Sequence, residues 1–215
     1  MLIVESAPLN TARIVGFDTI ARIDLSIAQR LVSVGFVFAV SYVGLREGDG
    51  APLDAEHLDA LMTAGLRVMP VQFARTSGWS AESGRADGAA AARNAIAAGI
   101  PSATTLWCDL EGGIPSAHIA VAYANGWHDA ARAAGIEEPG IYVGAGVPLS
   151  ERELYQELAF SRYWRSLSQV PNVDVRGYQM LQLFPDDQVV EGVQIDVDVI
   201  QSDYLGGRPR WARRQ

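Results

Sequence analysis

Five acidic residues stand where parallel strands would deliver them to one place. Asp109 and Glu111 lie two apart in the run Thr104-Thr105-Leu106-Trp107-Cys108-Asp109-Leu110-Glu111, followed by Gly112-Gly113. Side chains alternate along a strand, so Asp109 and Glu111 share a face with Trp107, while Cys108 and Leu110 face the other way. Cys108 therefore reads as packing, not as a nucleophile. Asp18 closes a second run, Ile14-Val15-Gly16-Phe17-Asp18, and Asp196 and Asp198 form another same-face pair in Gln194-Ile195-Asp196-Val197-Asp198-Val199. Strands disfavour aspartate, so its recurrence asks for a reason. An isolated Asp-x-Glu is equally a solvated strand end or a cap for the next helix. Carboxylates converging on one rim repel each other and raise at least one pKa. A carboxyl kept protonated beside one kept ionised is what glycosidic bond cleavage requires.

Positioning these acids needs strands whose C-terminal ends share a rim. Strand-like runs alternate with helical ones: Ile14 to Asp18, helix Ser26 to Val34, Phe36 to Tyr42, helix Asp54 to Ala64, then Arg67 to Phe73. Asp54 is the expected N-cap and Gly65 the stop. Pro70 argues against a central strand, because proline cannot donate to the ladder. A helix over Gly84 to Ala98, the acid-bearing strand, a helix over Ser116 to Ala134 and a strand over Gly140 to Gly144 follow. This alternation implies an α/β fold with a parallel sheet.

The last third breaks the rhythm. Phe160 to Trp164, Tyr178 to Phe184 and Val193 to Ile200 read as strands without long helices between them, and Pro185-Asp186-Asp187-Gln188 as a turn. Parallel crossovers need a dozen or more residues, so the last two strands are expected to form an antiparallel hairpin. The resulting expectation is an incomplete TIM-like barrel, with about five β/α units followed by three strands with little helix. If the final strand runs back down, Asp196 lies nearer the functional rim and Asp198 deeper.

The chain has 215 residues, 49% of them hydrophobic. That suits one domain but is short for a complete eightfold barrel of about 250 residues. A net charge of -8 disfavours nucleic acid, whose affinity comes from neutralised phosphates. All basic residues are arginine, which reads as codon bias. Residues 1–207 are expected to form the domain. Residues 208–215, with Arg208, Arg210, Arg213 and Arg214, read as a basic, frayed tail. One cysteine allows no intrachain disulfide. The start, MLIVESAPLNTARIVGF, has no basic segment followed by a long apolar run, so no standard signal peptide is expected, and no stretch approaches the ~20 apolar residues of a membrane helix. A target outside the cytoplasm, such as the cell wall, would then require another delivery route. A monomer is expected.

Aromatic residues at strand ends suit sugar faces: Tyr42, Trp107, Tyr142 and Trp164, with Trp79 in a loop. For each, core packing is the competing reading. A metal-dependent phosphodiesterase barrel would use the same acids for Mg²⁺ or Ca²⁺. His57, His118 and His128 fall in helices, however, and no metal or cofactor is expected.

With these residues placed, the chain resembles the glycoside hydrolase family 25 lysozymes, and more closely the bacterial glycoside-hydrolase-like domain of unknown function 1906. The likeness rests on Gly16-Phe17-Asp18-Thr19, Ala64-Gly65-Leu66 with Val68-Met69-Pro70-Val71, Asp109-Leu110-Glu111, Tyr123-Ala124-Asn125-Gly126-Trp127, Gly140-Ile141-Tyr142-Val143-Gly144, Gln182-Leu183 and Gln194 to Val199. It implies a flattened barrel with an incomplete helix ring, and cleavage of peptidoglycan between N-acetylmuramic acid and N-acetylglucosamine. By motif position Glu111 resembles the general acid and Asp109 its partner. Asp18 and Asp196 resemble the other pocket carboxylates. Tyr42, Trp107, Tyr142, Trp164, Gln182 and Asp198 are the candidate substrate contacts. There is a departure: the lysozymes typically carry Asn where this chain has Asp198. A barrel that binds glycan without cleaving it stays open beside the enzyme.

Overall fold

Strands and helices alternate through five β/α units before the pattern changes. The structure, a computed structural model, describes residues 1–8 and 14–215, and for Asp186 the backbone alone. Its elements are β1 (Leu2–Ser6), β2 (Ile14–Thr19), α1 (Leu25–Ser33), β3 (Phe38–Val43), α2 (Ala55–Ala64), β4 (Arg67–Gln72), α3 (Ala81–Ala97), β5 (Thr105–Leu110), α4 (Ala117–Ala133), β6 (Glu138–Val143), α5 (Glu151–Gln156), β7 (Tyr163–Arg165), β8 (Met180–Val190), β9 (Val193–Ile200) and β10 (Arg210–Arg214). Part of the N-terminal run examined for a signal segment, residues 9–13, lies outside the described residues. No helix among the described residues is long and apolar enough to cross a membrane.

Strands β2 to β9 close a mixed eight-stranded barrel of the TIM-like α/β class. Neighbours pair in parallel from β2 to β8, β8 and β9 form an antiparallel hairpin, and β9 returns antiparallel to β2. The ring closes between β4 and β5 at Val71 and Trp107. The helix ring is incomplete: α5 has 6 residues, and no described helix separates β7, β8 and β9.

Local chemistry sets the helix limits. Asp54 accepts from the His57 N–H at the start of α2, and Gly65 ends it at φ 103. Ser80 caps α3 through a capping box, so that helix begins earlier than the Gly84 expected from its alanine-rich run. The core has two layers. Phe17, Leu106, Cys108, Leu110 and Trp127 lie between barrel and helices, and Phe38, Val40, Met69, Val71, Trp107 and Trp164 fill the interior. Cys108 is buried on the helix-facing side, as strand alternation predicts.

Three expectations change. Pro70 sits in the central strand β4, paired opposite Ser41. The Arg67 and Phe73 N–H groups donate to Val37 and Val43 on the β3 side, so by alternation position 70 faces the opposite edge. There β4 meets β10 only at Val68 and β5 only at Val71, and the missing donor falls in the seam between them.

The PDDQ segment is not the hairpin turn. The turn lies at Glu191-Gly192, both with positive φ (51 and 82), and β8 runs on to Val190. Between Leu183 opposite Val197 and Gln188 opposite Ile195, residues 184–187 bulge against Asp196.

The basic C-terminus is not frayed. β10 pairs along β1 from Leu2–Arg214 to Ser6–Arg210 and touches β4 at Val68. Trp211 and Ala212 are buried, and Trp211 joins the interior cluster beside Phe38. Arg213 pairs with Glu5 at 2.8 Å and Arg214 with Asp59. The apolar pair Trp211-Ala212 anchors a segment whose charge count alone suggested solvation. Trp211→Ala is expected to cost about 3–5 kcal/mol, typical of a buried large-to-small change. Urea unfolding checks this, and a loss below about 1 kcal/mol would restore the frayed reading.

Candidate active site

The barrel interior carries a polar layer at the C-terminal ends of β2, β3, β5 and β6. Asp18, at the end of β2, is 3% exposed. Its Oδ1 accepts from the Tyr42 hydroxyl at 3.3 Å and its Oδ2 from Gln182 Nε2 at 3.1 Å. The same Gln182 nitrogen donates to Asp196 Oδ2 at 3.0 Å, and Tyr142 donates to Gln182 Oε1 at 3.0 Å. The tyrosine thereby orients the amide that ties the two aspartates together. Asp196 is opposite Asp18 in the β2–β9 register, and its Oδ1 accepts from the Asp187 backbone N–H at 2.7 Å. That donor comes from the β8 bulge, a device that commonly re-aims groups beside functional sites.

Asp109 projects from β5 on the same interior side. It is buried, its Oδ1 has no partner among the described residues, and its pKa is pushed well up by burial and then by the charges of Glu111 and Asp18. Glu111, just past β5, is half-buried, and its carboxyl is raised by burial. Gly144 makes room for it: a Cβ there would lie 2.4 Å from the Glu111 Cβ. Burial, followed by Asp196, pushes Asp18 up to about 7, against the lowering effect of hydrogen bonds from Gln182, Asp198 and Tyr42. Burial raises the Tyr42 and Tyr142 hydroxyls, and Asp18, Asp109 and Glu111 all act on both. The three acids therefore share one region with the two phenols, which stay protonated as donors. A half-exposed carboxyl with raised pKa can give up a proton, and the buried aspartates can stabilise positive charge developing nearby.

A cavity of about 190 Å³ opens against Asp18, Thr19, Tyr42, Asp187, Gln194 and Asp196. Size does not mark the site. A recess of about 410 Å³ lies beside Leu58, Met62 and Arg214, where the charges of Arg214 and Asp59 pair with each other.

The candidate substrate contacts divide. Tyr42, Tyr142 and Gln182 belong to the rim network. Trp107 and Trp164 do not, being 0% and 1% exposed. Trp107 covers Gly140, where a Cβ would meet its ring at 2.4 Å, and stands edge-on to Trp164 at 5.8 Å. Trp164 is edge-on to Tyr142 at 4.6 Å. Asp198 is also fully buried, one register step below Asp196, so sugar contact by these three does not fit their depth. Alternation gives the face of Trp107 but not how far down the barrel it lies, whereas the return of the final strand gives the greater depth of Asp198 relative to Asp196. Trp79 packs edge-on against Tyr123 at 4.6 Å. His57 is buried in α2, with Nδ1 2.9 Å from the Pro52 carbonyl and Nε2 accepting from the Ile23 N–H, and His118 and His128 lie in α4. No group of three or more His, Cys, Asp or Glu among the described residues is arranged to hold a metal ion. Sequence reasoning missed Thr19, Asp187, Gln194 and Gly144. For Asp187 the available signal was the turn-rich PDDQ segment, and for Gly144 the glycine closing GIYVG.

A family model, the Rv2525c-like, glycoside hydrolase-like domain, matches residues 29–200. The chain belongs to this family. Its structure is similar to that of the Mycobacterium tuberculosis Tat-secreted protein Rv2525c in complex with L-tartrate (TM-score 0.66, 18% identity, 88% of this chain and 98% of that one). It is also similar to a family GH25 lysozyme from Aspergillus fumigatus (TM-score 0.65, 14% identity, 89% and 95%). The bacterial lysozyme from Streptomyces coelicolor is a further match (TM-score 0.59, 17% identity, 90% and 94%). No curated protein sequence matches the chain. The glycoside hydrolase-like fold is thus shared with lysozymes at identities that carry the fold alone.

In this family member the rim makes stability depend on pH. Asp18 binds its proton more tightly folded than unfolded, so its contribution is intact below its ordinary pKa of 3.8 and lost as pH rises through about 7. That rise corresponds to on the order of 4 kcal/mol at full ionisation. Asp109 and Asp198 act in the same sense. Asp18→Asn, which cannot ionise, is expected to make the decline in unfolding free energy between about pH 4 and about pH 8 shallower, leaving the part carried by Asp109 and Asp198. Wild-type stability that holds level or increases over this interval would contradict the assignment.

Proposed function

We propose that this chain is a muramidase-type glycoside hydrolase acting on bacterial cell-wall peptidoglycan, with Glu111 as general acid. The observation carrying this reading is the common rim: Glu111, raised and partly open, stands in the region shared by Asp109, Asp18 and two phenol donors. Glu111 would hand its proton to the glycosidic oxygen. Asp109, beside it, would stabilise positive charge developing on the sugar. Asp18 and Asp196, held by Gln182, would bind the sugar's hydroxyl or amide groups. Support also comes from the neighbours described as lysozymes and muramidases. A site of action outside the cytoplasm accords with these and with the description of Rv2525c as Tat-secreted.

The cavity favours a second reading. Its volume of about 190 Å³ is lined by Asp18 and Asp196 but not by Glu111 or Asp109. A barrel that binds a glycan end without cleaving it would suit such a recess. Glu111→Gln separates the two. On purified insoluble peptidoglycan this variant should lose at least about 10²-fold in release of reducing ends, the minimum expected of a general acid, with its circular dichroism unchanged. Equal turnover by wild type and variant would remove Glu111 from the mechanism. Retention on peptidoglycan without turnover by the wild type would establish the binding barrel.

A further inference from the structure

Asp198 is the residue at which this chain departs from the lysozyme pattern, and its surroundings are unusual for a carboxylate. It has no exposed surface. Its Oδ1 accepts from the Trp164 indole N–H at 2.9 Å, while its Oδ2 is buried and receives no donor among the described residues. The β2–β9 register sets Asp198 opposite Gly16 and Asp196 opposite Asp18, and the carboxyls of Asp18 and Asp198 lie close enough to act on each other's protonation. Two ionised carboxylates can only accept, so a bond between them requires a proton.

The surrounding donors decide which group carries it. Asp18 accepts from Tyr42 on one oxygen and from Gln182 on the other, and it borders the cavity. Asp198 has one indole and no contact with solvent. Negative charge is better placed on Asp18. The other ionisable groups facing the pair are Asp196 on β9, Asp109 on β5 and the phenols of Tyr42 on β3 and Tyr142 on β6, and both acids oppose a second negative charge.

We propose that Asp198 is a protonated carboxylic acid at neutral pH, donating a hydrogen bond from Oδ2 to the Asp18 carboxylate and acting as the positioning residue for Asp18. Burial, then the charge of Asp18, pushes the Asp198 carboxyl well above its ordinary range, in agreement with this placement. The acid O–H supplies the donor that an asparagine amide would supply at the same position. A role for Asp18 in sugar chemistry rests on the function proposed above, whereas the location of the proton does not.

The test is a carbon-13 NMR titration of protein labelled at its aspartate carboxyls, in wild type, Asp198→Asn and Asp198→Ala. One wild-type signal is expected to hold its protonated position at about pH 8 and to be the signal lost in Asp198→Asn. The signals of the other buried aspartates, Asp109 among them, are retained in that variant. The Asp18 titration should stay in place in Asp198→Asn, where the amide still donates, and move to higher pH in Asp198→Ala, where nothing does. The proposal is overturned if the signal lost in Asp198→Asn is an ionised one in the wild type. It is also overturned if the asparagine shifts Asp18 as far as the alanine does. Should Asp198→Ala fail to fold, the comparison of wild type with Asp198→Asn decides alone. Peptidoglycan turnover measured in parallel keeps the questions apart: an inactive wild type with protonated Asp198 removes the muramidase reading only, and an active one with ionised Asp198 removes this proposal only.

Discussion

More carboxylate is buried at the mouth of this barrel than nearby positive charge can neutralise. Elsewhere the protein buries aspartates differently. Asp87 sits behind the barrel with Arg75 on both oxygens at 2.6 and 2.8 Å and the Tyr123 hydroxyl at 2.9 Å. Asp203 likewise pairs with Arg176 at 2.8 Å. No arginine among the described residues bonds Asp18, Asp109 or Asp198. Asp18 is served by a phenol and an amide and Asp198 by an indole, while Asp109 Oδ1 has no partner among the described residues. Hydrogen bonds from neutral donors only partly offset lost hydration, so the remaining cost appears as a preference for the protonated form. Arginine-paired acids hold structure together, whereas the unneutralised ones are the groups whose protonation the fold has adjusted.

Gln182 is the hub of that arrangement. One side chain joins Tyr142 on β6, Asp18 on β2 and Asp196 on β9. The strands it links are distant in sequence, and the antiparallel return of β9 brings them together. Had the last strands continued as β/α units, Asp196 would not stand opposite Asp18. The incomplete helix ring and the acidic rim are thus two aspects of one topology.

Much of this was legible in the sequence because strand and helix periods are local properties. The parity of Trp107, Asp109 and Glu111, the outward Cys108, the Asp54 cap and the final hairpin all follow from spacing. Depth did not. Trp107 and Trp164 lie on the expected interior face but below the rim, and nothing in a two-residue repeat tells one layer from the next. The PDDQ segment reads as a turn because turns and bulges draw on the same residues, while the actual turn uses Glu191-Gly192. β10 was hidden because its arginines outnumber the Trp211-Ala212 pair that anchors it. Thr19 and Gln194 carry no chemical signature that would single them out before the fold is known.

The pairing of β1 with β10 determines where an attached segment would emerge. β4 runs toward the acidic rim, β10 runs antiparallel to it, and β1 antiparallel to β10, with Leu2 opposite Arg214. Both chain ends therefore leave from the pole remote from the rim. A tether, partner module or surface anchor joined at either end would hold the barrel by its base with the mouth facing outward, and two such attachments would start side by side.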